Sequence, residues 1–299
     1  MPATAPTRQE LFDPEFLQAV SRFRLLAQRV ARGGVHAEQR SRQMGAGMEF
    51  RDYRAYAPGD DLRAVDWNIY RRLGRVFLRL FEEFEDLPVY LAPDVSSSMW
   101  QGPTPRARAG LQATFALALA ALNQHDSVGL YPFSDRLRVA LPAKSGNVRK
   151  MRIADALSAQ GPGGATDFVA SLGKFARMGL RKGLLVVVSD FFDAAGIEAV
   201  QQSLSRQRHR LLLVQLVRKT DRSPALQGDL LLRDCESGQE HDVSVTADVL
   251  AAYGRAYEAH QEGLRALVVQ RQAGLLQVDV EEPVVPQLSE LFRTGALVV

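Results

Sequence analysis

The stretch GLLVVVSDFFD, residues 183–193, restricts the fold more than any other part of the chain. Leu184 to Val188 offer no polar face, and charge follows at once at Asp190 and Asp193. A strand apolar on both sides belongs in the middle of a sheet covered on both faces, the usual setting of parallel strands joined by helical crossovers. The surrounding pattern agrees. Val89 to Leu91 begin a second buried strand that ends at Asp94, and Arg106 to Asn123 form an alanine- and leucine-rich helix. Strands are expected at 127–133, 137–141, 210–217, 229–233 and 275–280, with helices at 147–159, 169–178, 196–207, 247–272 and 286–293. This alternation predicts an α/β fold: a doubly wound, mostly parallel sheet of Rossmann type.

The first 86 residues read differently. Asp13 is a candidate N-cap, Pro14 suits the first helical position, and Phe16, Val20, Phe23, Leu26 and Val30 recur at helical spacing until Gly33-Gly34 stops the helix. Residues 35–74 mix turn formers and charge with Phe50, Tyr53, Tyr56, Trp67 and Tyr70. Such aromatics predict an irregular but ordered layer packed on the main domain, followed by a half-exposed edge strand in RVFLRLFEEF. The expected division is therefore 1–86, with helix, irregular segment and edge strand, and 87–299, the α/β domain.

Composition narrows the function. A content of 46% hydrophobic and 24% charged residues is that of a soluble globular protein. No apolar run nears the roughly 18–20 residues of a membrane span, and MPATAPTRQELFDPEF lacks the order of a signal peptide. A cytoplasmic location is expected. Cys235 is the only cysteine, which excludes an intramolecular disulfide and a cysteine-held metal; it reads as a small residue in or near a strand. The histidines at 36, 125, 209, 241 and 260 show no zinc-ligand spacing. Arginines crowd residues 20–80, but acids interleave with them, so pairing within the fold competes with a surface for nucleic acid, an acidic partner or a membrane.

Ligands of open α/β sheets collect at strand carboxyl ends near a topological switch. Three polar clusters fall at such ends or in loops able to reach them: Asp94 with Ser96 and Ser98, Gly164 to Asp167, and Ser189 to Asp193. Asp94, Ser96, Ser98, Thr166 and Asp190 together offer two carboxylates and three hydroxyls, hard oxygen donors of the kind Mg²⁺ takes. Hydroxyls leave such an ion electron-poor, so a further carboxylate from a partner protein is the expected last ligand. Each piece also has a plain alternative. Ser96 or Ser98 could cap the next helix, GGATD could be a turn and cap, and Asp190 could be an ordinary strand-end acid.

The order DxSxS, then GGxT, then an apolar strand ending in SD resembles the metal-ion-dependent adhesion site of von Willebrand factor type A domains. VGLYPFSD, 128–135, is similar to the strand that follows the first helix in that family, and the resemblance is good over about 87–220. It implies a doubly wound sheet holding Mg²⁺ or Mn²⁺ through Asp94, Ser96, Ser98, Thr166 and Asp190. Pro93 departs from the family pattern, since proline removes a ladder donor beside the aspartate.

GAGMEFRDYRAYAPGDDLRAVDWNIYRR resembles the signature of the bacterial domain of unknown function 58 family, with Arg54, Tyr56, Pro58, Gly59, Asp60, Arg63, Asp66 and Trp67 matching. Members often accompany MoxR-type AAA+ ATPases. The resemblance thus implies a non-enzymatic adaptor or co-chaperone in protein-complex assembly or metal insertion. Physically the signature reads as structural: a Pro58-Gly59 turn, Asp60 and Asp66 paired with Arg54 or Arg63, and Trp67 as an anchor. A metal-dependent phosphohydrolase using Asp94 is the enzymatic rival, but Ser96 stands where a second aspartate would act as general acid. A nucleic-acid surface in the arginine-rich segment is the third reading, opposed by the expected burial of its aromatics. No GxxxxGKS phosphate loop is present, so any ATP hydrolysis would fall to a partner.

Overall fold

The computed structural model describes residues 7–33, 48–57, 60–61, 65–83, 87–146 and 148–290, the side chains of 24–33, 48–52 and 79–83 excepted. In chain order the elements are α1 (Arg8–Leu11), α2 (Pro14–Gly33), β1 (Met48–Ala55), α3 (Trp67–Leu73), β2 (Phe77–Glu83) and β3 (Val89–Pro93). A 3₁₀ turn (Ser97–Trp100), α4 (Arg106–Asn123), β4 (Val128–Leu130), β5 (Leu141–Lys144), α5 (Val148–Ser158), α6 (Phe168–Arg177) and β6 (Leu184–Ser189) follow. The rest comprises α7 (Ile197–Ser205), β7 (Arg210–Val217), α8 (Lys219–Arg222), β8 (Gly228–Arg233), β9 (Glu240–Val245), α9 (Ala247–Arg271), β10 (Gly274–Asp279) and α10 (Val284–Leu288).

The central sheet has six strands in the order β10-β7-β6-β3-β4-β5. All neighbours are parallel except β5, which runs antiparallel to β4 at the edge. This is the mostly parallel sheet that the apolar runs predict. β6 shows why: Val186 and Val188 enter the core under α2, α4, α5 and α10, while Leu185 and Val187 enter a second core under α6, α7 and α9. Each such side chain stabilises the fold by about 1.5–3 kcal/mol on full burial. From β3 the chain crosses to β4 on one side, then returns to β6 on the other, so the carboxyl ends of β3 and β6 flank the switch point.

The chain divides into two units, one of 1–33 with 87–299 and one of 34–86. The helix at 14–33 therefore belongs with the α/β unit and not with the signature segment that follows it in sequence. The reason is apolar: Phe12 and Phe16 pack on Phe115 of α4, ring centroids 4.4 and 6.4 Å apart, and Val20 and Phe23 join the same core. Asp13 does cap this helix, accepting from Phe16 N–H at 2.8 Å.

In the smaller unit, the expected irregular stretch contains β1, paired antiparallel with β2 across a bulge between Phe50 and Asp52, and α3. Arg54 pairs with Asp60 at 2.7 Å, as expected. Asp66 caps α3, accepting from Asn68 and Ile69 N–H, and also accepts from the Tyr53 hydroxyl at 3.3 Å. Trp67 is no buried anchor: it is 58% exposed and sits edge-on to Tyr70, which is exposed too, as is Tyr53. Trp67, Tyr70 and Tyr53 do not show the expected burial, which therefore does not oppose a nucleic-acid surface. Pro58, Gly59 and Arg63 lie outside the described residues.

Three further differences concern the sheet's surroundings. The strand expected at 137–141 forms at 141–144, because Leu137 is buried as a single bridge to Phe133. The strand expected at 127–133 is regular only over 128–130, and Phe133 beyond it pairs with Asp94 as a single parallel bridge. The strand near 229–233 is no part of the main sheet; with β9 it forms a separate hairpin, β8–β9. The last helix begins at Val284, and its expected end at 293 lies outside the described residues.

Candidate functional site

β3 delivers Asp94 to the switch point and the chain turns there. Asp94 is 2% exposed; its Oδ1 accepts from Ser96 N–H at 2.9 Å and its Oδ2 from the Ser189 hydroxyl at 2.6 Å. The Ser96 and Ser98 hydroxyl oxygens lie 3.0 Å apart. Neither serine caps a helix: Ser96 makes no side-chain bond to the 3₁₀ turn, and α4 starts after Pro105. The capping alternative fails, and the hydroxyls are left facing each other. The side of the strand on which Pro93 falls follows from the ladder. Backbone donors along β3 alternate between its neighbours. Asp94 N–H bonds Val188 O on the β6 side and Val89 N–H bonds Ser127 O on the β4 side, which puts Pro93 on the β4 side as well. The bonds on that side continue past it, Phe133 N–H to Pro93 O at 3.0 Å and Val95 N–H to Phe133 O at 2.8 Å, so the proline leaves a single gap in them, opposite Tyr131.

The glycine-rich loop is tied to that turn by its backbone. Gly163 N–H donates to Val95 O at 2.8 Å, and Ser97 N–H donates to Gly164 O at 2.7 Å. A Cβ on Gly163 would stand 3.0 Å from Val95 O and 2.9 Å from Ser134 Oγ, so only glycine allows the approach. Gly164 has φ +93°, a left-handed conformation that L side chains avoid. Gly164→Ala is expected to destabilise the protein by about 1–2 kcal/mol through backbone strain, with the loss read by chemical denaturation. Asp167 caps α6, accepting from Ala170 N–H at 2.7 Å, and Asp193 accepts from Phe168 N–H at 2.9 Å. Thr166, between loop and helix, instead meets Glu236 from the tip of the β8–β9 hairpin. Its N–H donates to Oε2 at 2.9 Å and its hydroxyl to Oε1 at 3.0 Å.

β6 supplies the remaining wall. Ser189 Oγ accepts from Phe191 N–H at 2.9 Å while donating to Asp94, so one hydroxyl joins both strand ends. Phe191 is held at φ +63°, an uncommon conformation for a bulky residue, with its ring buried against Phe168. Asp190 is 4% exposed, accepts from Phe192 N–H at 3.2 Å and has the Arg106 Nε 3.7 Å from its Oδ2. Arg106 also binds Asp221 at 2.5 Å. Burial, then repulsion from Asp190, pushes the Asp94 carboxyl up to about 7, against the pull of its Ser189 and Ser96 hydrogen bonds. Burial raises Asp190 as well, opposed chiefly by Arg106 and reinforced by Asp221 and Glu236.

The fold thus brings Asp94, Ser96 and Ser98 against the Thr166 loop and sets Asp190 beside them. Two buried carboxylates that repel each other, with hydroxyl oxygens beside them, suit a hard divalent cation chemically. Among the described residues no group of three or more His, Cys, Asp or Glu side chains is gathered to hold a metal, so a cation here would depend on the hydroxyls. Sequence reasoning missed Ser189 as the link between strands, Arg106 as the counter-charge to Asp190, and Glu236. Cys235, beside Glu236, is exposed in the hairpin turn. A pocket of about 430 Å³ lined by Arg222, Ser223, Pro224, Leu250, Gly254 and Glu258 contains none of the five expected donors.

A family model, Protein of unknown function DUF58, matches residues 52–263, spanning both the Asp60–Trp67 signature and the three donor clusters. The chain belongs to the DUF58 family. Relatives of this DUF58 protein include uncharacterized proteins of Mycobacterium bovis and Mycobacterium tuberculosis, each 24% identical over 259 residues, 85% of this chain and 81% of theirs. Among solved structures, the conserved hypothetical protein BatB from Bacteroides thetaiotaomicron is 13% identical with a TM-score of 0.43, over 71% of this chain and 100% of that one. An aerotolerance-related membrane protein from Bacteroides fragilis is 16% identical with a TM-score of 0.38, over 70% and 99%. Among the described residues, no helix of the DUF58 chain is long and apolar enough to cross a membrane.

Proposed function

We propose that this DUF58 protein is a non-enzymatic, Mg²⁺-dependent protein-binding module of the von Willebrand factor A type. Its partner would be a MoxR-type AAA+ ATPase or a client of one, in the cytoplasm. Asp94, Ser96, Ser98, Thr166 and Asp190 would hold Mg²⁺ or Mn²⁺, and the partner would add a carboxylate. One observation carries the reading: the Asp94 turn and the end of β6 meet at the switch point, joined by the Ser189 hydroxyl, with their oxygen donors turned inward and uninvolved in helix capping. When bound, the cation would supply a positive charge that recognises an acid. The protein's own part is to keep the donors apart from water and fixed in place, which the Gly163–Val95 and Ser97–Gly164 bonds do.

The phosphohydrolase alternative gains nothing specific. Ser96 Oγ stands by Ser98 Oγ, and no described acid two positions beyond Asp94 offers a proton. The test is calorimetric titration of the purified chain with Mg²⁺, repeated on Asp94→Ala. Micromolar-to-millimolar binding lost in the variant supports the reading; equal affinity in both sinks it. Capture of an AAA+ ATPase from the native host, lost on chelation, would identify the partner.

A further inference from the structure

We propose that Glu236 is the chain's own stand-in for the partner's acid: the β8–β9 hairpin closes the site in cis, and an acidic residue presented on a partner's turn must displace it. This rests on the reading above that the site recruits a carboxylate. Thr166 is one of the expected donors, and both its polar groups are engaged by the two oxygens of Glu236. A carboxylate from outside that approached Thr166 would meet a carboxylate already seated.

The hairpin is built to present that acid. Its six-residue tip, 234–239, is braced from inside: Asp234 accepts from Glu236 N–H at 2.9 Å, from Ser237 N–H at 3.2 Å and from the Ser237 hydroxyl at 2.5 Å. Asp234 N–H donates to Gln239 O at 2.8 Å and Gly238 N–H returns to Asp234 O at 2.9 Å, with Gly238 at φ +73°. A turn ordered in this way loses little entropy when its acid docks. The strands behind it are otherwise little buried: the residues of β8 and β9 are exposed or half-exposed on both faces. Two-stranded hairpins are marginal on their own, and elements with few buried contacts open most readily. The tip contact therefore seats the hairpin, and lifting it exposes little apolar surface. Glu236 moreover lies where Asp190 feels its charge, a costly place for an acid unless something positive or a good donor pair holds it.

The chemistry names the partner's side: a glutamate or aspartate at the apex of a tight, polar turn. The test uses the full chain and two readouts. The first is amide hydrogen exchange over residues 228–245 for wild type and Glu236→Ala. Exchange at the tip is expected to rise at least tenfold in the variant, with β3 and β6 unchanged; unchanged tip exchange overturns the closure whether or not Mg²⁺ binds. The second is binding of a labelled peptide copying residues 233–240, with serine for the cysteine, in saturating Mg²⁺. At least tenfold tighter binding to Glu236→Ala than to wild type or to Leu231→Ala, a change on the exposed hairpin strand, is expected. Equal binding to all three overturns the competition. Faster tip exchange with no Mg²⁺ binding to any chain would support the closure while removing the metal reading.

Discussion

Asp94→Asn is expected to melt at a higher temperature than wild type when metal is absent, and to lose the wild type's response to Mg²⁺. The side chain is nearly isosteric and still accepts from Ser96 N–H. It gives up the bond accepted from the Ser189 hydroxyl, but removes a carboxylate that is 2% exposed and whose burial and repulsion by Asp190 outweigh its hydrogen bonds. In wild type, Mg²⁺ at a hundredfold excess over its Kd should add about 2.7 kcal/mol. For a unit of this size that is roughly 5–10 °C in Tm. In Asp94→Asn that rise should vanish. Scanning calorimetry with Mg²⁺ and with chelator reads both effects. A variant that still gains stability from Mg²⁺, or one less stable than wild type in chelator, would count against a cation site built on Asp94.

Gly183→Ala should be the most damaging single methyl group in the sheet. Gly183 is buried just ahead of β6, and a Cβ built there stands 2.1 Å from Pro88 O and 2.8 Å from Pro88 Cγ. The oxygen is backbone and already accepts from Leu184 N–H at 2.9 Å, while Gly183 O accepts from Arg210 N–H at 3.0 Å. Neither strand can yield without breaking a ladder bond, so overpacking should cost roughly 3 kcal/mol. Because β6 ends at Ser189, a slip at its start reaches the hydroxyl that binds Asp94. Urea denaturation should show the loss. A stability within about 0.5 kcal/mol of wild type, the range of an ordinary surface change, would mean that β6 tolerates the shift.

The parts of the fold legible from sequence are those whose burial is extreme. Leu184 to Val188 are apolar on both faces because both faces are covered, and α4 is apolar around its whole circumference for the same reason. Parity and periodicity report such positions directly. The hairpin is the opposite case: β9, EHDVSV, is largely exposed, so no apolar alternation marks it out from a loop. The unit of helix α2 is not legible from sequence, because adjacency to the signature segment says nothing of Phe115, on which Phe12 and Phe16 pack. Trp67 and Tyr70 were expected inside because large aromatics usually are, yet α3 leaves them in solvent. In the site, Asp94, Thr166 and Asp190 were recognisable by order and by their places at strand ends. Ser189 was visible only as a neighbour of Asp190. Glu236 was invisible: it is one acid among Asp234, Glu240 and Asp242, and it meets Thr166 from 70 residues away.

The antiparallel strand β5 has a bearing on how the molecule keeps company with others. A bare sheet edge invites another chain to add a strand. Here the outermost strand reads Leu-Pro-Ala-Lys: Pro142 has no N–H to offer, its carbonyl is taken by the Arg149 guanidinium, and Lys144 sets a charge at its end. Arg149 also reaches Val128 O at 3.2 Å, stitching the last two strands together from the helix behind them. The border strand is thus blunted against self-templated fibre growth. A partner seeking this flank finds a closed selvedge, and backbone-to-backbone annealing there is denied to it.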